Sequence, residues 1–203
     1  MNSLFNSLKP EKQERIINAA LKEFVQSGFD KASTNEIVKE AQISKGSLFN
    51  YFHNKKQLYF YLIDYGMKVV EIIFEHIDLT ETDLFVRLEK LGFEKLQIQR
   101  KYPQVFDFLT SLYQEESDEV KADIQGRIQL IQKEGFARIY ENIDYTKFRD
   151  DIDIQKAIEI LTWTMYAFGE KAIKQLISFD KVGEEYLKEW ESYSQILKSS
   201  FYK

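Results

Sequence analysis

Apolar residues recur along this chain at steps of three and four, and nowhere in the strict alternation that marks a half-buried strand. Ile17, Ala20, Leu21 and Phe24 form the first helical stripe, with Pro10 suited to its opening turn and Gly28 to its C-cap. Ser33 and Glu36 have the spacing of a capping box, a hydroxyl for the free amides and a carboxylate reaching back. Ile37, Val38 and Ala41 then put one apolar face on a helix of about two turns. Gln42-Ile43 reads as a tight turn and Ser44 as a second N-cap. The segment KGSLFNYF is a second short helix, with Leu48 and Phe52 on its buried side. Asn54 caps a long helix beginning at Lys55. Leu58, Leu62, Val69 and Ile72 mark one of its faces, and Tyr59, Ile63, Val70, Phe74 and Ile77 the other. A helix that is apolar on two sides packs on two sides.

Beyond Thr80 the same period continues, interrupted at Thr80-Glu81, Tyr102-Pro103, Glu115 to Asp118 and Asp144 to Asp153. It predicts helices over about Glu81 to Arg100, Pro103 to Gln114, Asp118 to Asn142, Ile154 to Phe179 and Gly183 to Phe201. The fold class is therefore all-α: an N-terminal three-helix domain with a helix-turn-helix, residues 1–54, and a larger helical domain, residues 55–203. Met1 to Lys9 reads as a polar lead that frays.

Two short helices joined by a tight turn make a helix-turn-helix. With Leu48 and Phe52 inward, Lys45, Gly46, Ser47, Phe49, Asn50 and Tyr51 face out. Such a set suits a DNA groove. Lysine reaches guanine acceptors or phosphate, aromatic carbons meet a thymine methyl, and glycine admits a close backbone. Lys55 and Lys56 stand in the first turn of the long helix, where the dipole disfavours cations but free amides and an ammonium together suit one phosphate. The plainer alternative is a helical hairpin at the edge of a bundle, with Lys45 a solvated charge.

Charge sharpens the picture. Up to Lys56 there are nine Lys and Arg against six Asp and Glu, although the whole chain carries −5. A basic head on an acidic body presents one end to phosphate. Zero cysteines remove disulfides and thiolate metal sites, and His53 and His76 alone form no histidine cluster, so neither cofactor nor metal is expected. There is no long uncharged apolar run and no signal-peptide core, which leads to the expectation of a cytoplasmic protein with no membrane partner.

The run from Ile16 to Leu58 resembles the TetR family of bacterial transcriptional regulators. It does so through IINAALKEFVQSGFD, STNEIVKEA, ISKGSLFNYF and HNKKQL, taken in that order. Two departures stand out. Gln42 occupies the turn position where the family usually has glycine, which implies backbone strain of about 1 kcal/mol. Phe49 replaces the usual tyrosine and removes a hydroxyl suited to phosphate. The resemblance implies a ligand-responsive repressor that binds a palindromic double-stranded DNA operator as a homodimer and is released by a small-molecule inducer. The candidate DNA contacts are Ser33, Thr34, Asn35, Ser44, Lys45, Gly46, Ser47, Phe49, Asn50, Tyr51 and Lys55. Some family members send an N-terminal arm into the minor groove, but Met1 to Lys9 offers one lysine.

The last two helices carry a heavy apolar load that either closes their own core or meets a copy of itself. The resemblance implies the second, a two-fold four-helix contact, with Ile160, Met165, Ile173, Trp190, Tyr193 and Leu197 as candidates. Two recognition helices would then meet half-sites one turn, roughly 34 Å, apart. For an apolar or aromatic inducer the candidate lining is Met67, Phe93, Phe106, Leu109, Tyr113, Ile131, Phe136 and Trp163, against the plain alternative of ordinary core. A buried member of the group Glu94, Arg100, Arg127, Glu134 and Arg138 would point instead to a charged inducer. Gly92, Gly135 and Gly169, inside helices, mark close packing or a pocket wall. No catalytic constellation is present, so the chain is read as no enzyme. The readings from other classes are a small all-helical enzyme and an interaction module whose helix-turn-helix meets a protein.

Overall fold

Gly28 ends the first long helix as its position suggests, by adopting φ 67° and ψ 176° and leaving one further turn beyond it. The computed structural model describes residues 3–175 and 178–203. Among these there are ten α-helices and no strand: α1 (Ser3–Asn6), α2 (Pro10–Lys31), α3 (Thr34–Glu40), α4 (Lys45–Phe52), α5 (Lys55–Glu75), α6 (Leu84–Lys101), α7 (Pro103–Ser111), α8 (Lys121–Tyr140), α9 (Ile154–Gln175) and α10 (Glu185–Phe201). The helix expected over Pro103 to Gln114 is α7 followed by a tighter turn, Leu112–Gln114. The helix expected to reach Phe179 is seen as far as Gln175. Leu176 and Ile177 lie outside the described residues, and Phe179 opens a separate turn. Among the described residues no helix is long and apolar enough to cross a membrane.

The chain divides into two compact units, Met1–Val69 with Tyr102–Ile131 and Val70–Lys101 with Gln132–Lys203. Residue 54, suggested by sequence as a boundary, lies inside the first. The physical tie is a loop C-terminal to α7. Glu115 accepts a hydrogen bond from the Phe29 amide at 2.8 Å, the Ser117 hydroxyl donates to Asp30 at 2.8 Å, and the Lys56 ammonium donates to the Glu119 carbonyl at 2.9 Å.

The core of the first unit is aromatic at its centre. Tyr59 meets Phe24, Phe29 and Phe108 with ring centroids 4.8, 5.1 and 5.4 Å away. Burial, and then the neighbouring Glu115 carboxylate, pushes the Tyr59 hydroxyl well above the usual tyrosine range. Gly66 lets Leu109 lie directly on α5, because a Cβ there would stand 2.8 Å from a Leu109 methyl. The expected frayed end is instead part of this core. Phe5 is fully buried, and removing its ring from water offsets part of the cost of ordering its short helix.

In the second unit Leu84, Phe85, Leu88, Ile139, Phe148 and Leu161 anchor the core. Gly135 admits the Phe74 ring and Gly92 admits Leu187, so both are close-packing positions, whereas a Cβ at Gly169 would enter open space. Two charged side chains among the described residues are buried here, Asp83 and Arg87, and neither is among the five charged candidates named from the sequence. The Arg87 guanidinium donates to the carbonyls of Glu81, Ile139 and Glu141, closing the C-terminus of α8. That is a structural use, and the five candidates stay partly or fully exposed. Asp83 caps α6 by accepting from the Phe85 and Val86 amides at 3.0 and 3.3 Å.

Candidate nucleic-acid interface

Three helices of the first unit build the helix-turn-helix face. The Ser33 side chain caps α3 by accepting from the Glu36 amide at 3.4 Å. The return half of the expected capping box is absent: the Ser33 amide donates to Glu23 on α2 at 2.8 Å, while Glu36 pairs with Lys39 at 3.7 Å. Tertiary packing delivers a better-placed carboxylate than the local one. Arg15 donates to the Ala41 carbonyl at 2.8 Å and Lys22 pairs with Glu40 at 2.9 Å, so α2 holds the far end of α3 as well. Gln42 then turns the chain with φ 53°, the left-handed conformation expected of a position where glycine is usual.

Ser44 caps α4 by accepting from the Ser47 amide at 3.0 Å. Leu48 and Phe52 are buried as expected. On the other side Ser44, Lys45, Gly46 and Asn50 are exposed, while Ser47, Phe49 and Tyr51 are half-buried. Lys45 lies 6.0 Å over the Phe49 ring, an arrangement that keeps the ammonium at the surface beside an aromatic face. Asn35 is exposed at the start of α3, with Ser33 and Thr34 half-buried beside it. One face thus offers a cation, an amide, hydroxyls and aromatic edges, the mixture that meets phosphates and base edges together.

Lys55 is placed differently from the other candidates. Its ammonium donates to the carbonyls of Asp30 at 3.0 Å and Ala32 at 3.4 Å, and lies 4.8 Å over the Phe29 ring. It therefore closes the carbonyl end of α2. Asn54 does cap α5, accepting from the Gln57 amide at 2.8 Å.

The body candidates divide between the two units. Met67, Phe106, Leu109, Tyr113 and Ile131 belong to the first unit, and Phe93, Phe136 and Trp163 to the second. Tyr113 lines a cleft of about 460 Å³ with Ile124 and Ile128, and Phe93 lines one of about 210 Å³ between α6 and α10 with Phe85, Leu187 and Trp190. Trp163 is 64% exposed on α9. Of the self-association candidates, Ile160 and Tyr193 are exposed and Ile173 is half-buried, while Met165, Trp190 and Leu197 pack on their own unit's core. Sequence reasoning left Tyr166 and Ile196 out of that set, though both are exposed apolar residues on the same two helices. Hydrophobic spacing shows that a stripe exists but not which edge of it stays uncovered.

Comparisons with known proteins agree with this geometry. Residues 16–62 match the family model for bacterial regulatory proteins, tetR family. The uncharacterized HTH-type transcriptional regulator YuxN of Bacillus subtilis (strain 168) is 44% identical over 55 residues, 27% of this chain and 19% of that protein. The probable acrEF/envCD operon repressor of Escherichia coli (strain K12) is 30% identical over 114 residues, 55% of this chain. The chain spans about half the length of that repressor, 52%, and less of YuxN. A TetR family transcriptional regulator from Chloroflexus aurantiacus J-10-FL superposes with a TM-score of 0.62 at 24% identity, covering 98% of this chain and 97% of its own. At that identity the likeness establishes a shared all-helical fold.

Proposed function

Taking residues 16–62 as a tetR-family helix-turn-helix domain, we propose that this chain is a transcriptional regulator that binds double-stranded DNA through α4 and represses until a small molecule binds its body. The observation that carries the reading is the capped α4, which buries Leu48 and Phe52 while leaving Lys45, Gly46 and Asn50 exposed. Ser33, Thr34, Asn35, Ser44, Ser47, Phe49 and Tyr51 complete the contact face, and Lys55 supports it by holding the end of α2. The chain acts as a homodimer, because one short helix reads too few base pairs for useful specificity. The uncovered apolar side chains of α9 and α10 supply the surface for pairing. It works in the cytoplasm, where the chromosome is.

Coupling runs through the first unit. A ligand that displaces α7 or the following loop pulls on Phe29, Asp30 and Lys56 through Glu115, Ser117 and Glu119. An effect on operator affinity of about 1–3 kcal/mol is enough for regulation. The test is selection of duplexes from a random pool by the purified chain, followed by affinity measurements across salt. A repressor of this kind selects a palindrome, loses affinity steeply with salt, and loses sequence preference in Lys45→Ala. A chain that enriches no duplex and stays monomeric refutes the reading.

A further inference from the structure

Phe5 is fully buried although Leu4 beside it is exposed. Its ring lies 4.8 Å from Phe52, 5.2 Å from Tyr61 and 5.9 Å from Tyr51, centroid to centroid. Phe52 is a buried core partner that any apolar anchor could use, and Tyr61 is half-buried on α5. Tyr51 differs from both because it belongs to the outward contact face of α4. The segment is fixed on the C-terminal side of Phe5 by Gln13, whose amide donates to the carbonyls of Asn6 at 3.2 Å and Leu8 at 2.8 Å. Lys12 adds an ammonium 6.0 Å over the Tyr51 ring.

We propose that α1 is a positioning element for Tyr51: Phe5, with Lys12, holds that ring in one orientation on the face of α4 and so sets how the helix discriminates between DNA sequences. The proposal rests on the DNA-binding reading above. A tyrosine free on a helix surface samples several rotamers, and ordering it at the moment of binding lowers affinity. Packing it beforehand removes that cost and narrows the base edges the ring can meet. Residues 1–8 carry no charged side chain, and removing the Phe5 ring changes no charge. The effect of that removal must therefore appear in sequence preference and not in salt dependence.

The experiment compares a duplex selected from a random pool by the wild-type chain with a scrambled duplex, each titrated across salt. Phe5→Ala is expected to lower the ratio of the two affinities about tenfold, with the salt slope unchanged. Phe5→Leu, which refills the site, recovers most of that ratio. Equal loss on both duplexes, or no loss on either, overturns the inference while leaving the regulator reading intact. A wild-type chain that selects no duplex overturns both. Should Phe5→Ala fail to fold, Gln13→Ala frees the segment without emptying the core. A lowered affinity ratio in that variant then supports the inference, and an unchanged ratio overturns it.

Discussion

Each compact unit has a carboxylate that ties together distant stretches of chain, and the two are held differently. Glu115, in the first unit, accepts from the Phe29 amide at 2.8 Å, the Ser117 amide at 3.0 Å and the Tyr59 hydroxyl at 3.3 Å. Asp83, in the second, accepts from two amides of α6 and from the Tyr202 hydroxyl at 3.3 Å, and its other oxygen meets the Lys147 ammonium at 2.8 Å. Burial alone would raise the Asp83 carboxyl, but Lys147 and the Val86 amide outweigh it and leave it below the usual carboxylate range. One knot is thus made of neutral donors and the other includes a cation. Bonds to a carboxylate are charge-assisted whichever donor makes them, so what sets the second corner apart is its added ion pair to Lys147. The corner without an ion pair lies at the Gly28 bend beside the helix-turn-helix, where the proposed coupling acts.

The comparison breaks most severely at Arg87. Arg87→Ala leaves the carbonyls of Glu81, Ile139 and Glu141 without their donor and empties a buried volume, so urea unfolding should show a loss of about 3–5 kcal/mol. Asp83→Ala comes next, at about 2–3 kcal/mol, because Lys147 and the N-terminus of α6 both lose their acceptor. The same residue sets an acid limb. With its folded pKa lowered, its contribution is complete above the ordinary value of 3.8 and is lost as pH falls from there through the folded value. Asp83→Asn should therefore flatten unfolding free energy against pH in that acid window. Glu115→Ala should cost less, about 1–2 kcal/mol, and hydrogen exchange should speed up at the Phe29 amide while amides of α6 stay protected. A Glu115→Ala chain with α6 equally loosened would dissolve the contrast between the two knots.

The smallest effect concerns backbone strain. Among the described residues three non-glycine positions have positive φ, Gln42 at 53° and His53 at 55° in the first unit and Asn142 at 56° in the second, and Gln42 and Asn142 make the instructive pair. Asparagine tolerates that region, and Asn142 also donates its amide to the Leu79 carbonyl at 3.0 Å. Glutamine has no such local bonding habit. Gln42→Gly should stabilise the protein by about 0.5–1 kcal/mol in thermal unfolding, whereas Asn142→Gly should give no gain.

Most of the fold was legible because its signals are local. The Ser44 cap, the Asn54 cap, the Gly28 bend and the strained Gln42 turn each depend on residues within a few positions. The buried pair Leu48 and Phe52 follows from helical spacing alone, and with it the outward set on α4. Other parts needed the assembled chain. Ser33 gives its amide to Glu23, Lys55 gives its ammonium to the end of α2, and Phe5 leaves an expected loose end for the core. Each of these depends on what arrives from another helix.

The sequence by itself determined that this chain is a succession of helices, that two of them form a capped helix-turn-helix, and which side of α4 faces out. Only the tertiary structure decided which aromatic residues are core and which are surface, leaving Phe93, Tyr113 and Trp163 uncovered while Phe106 is buried. The physical reason is that a 3.6-residue period names the face of a helix that seeks cover, whereas the partner that covers it comes from elsewhere in the chain.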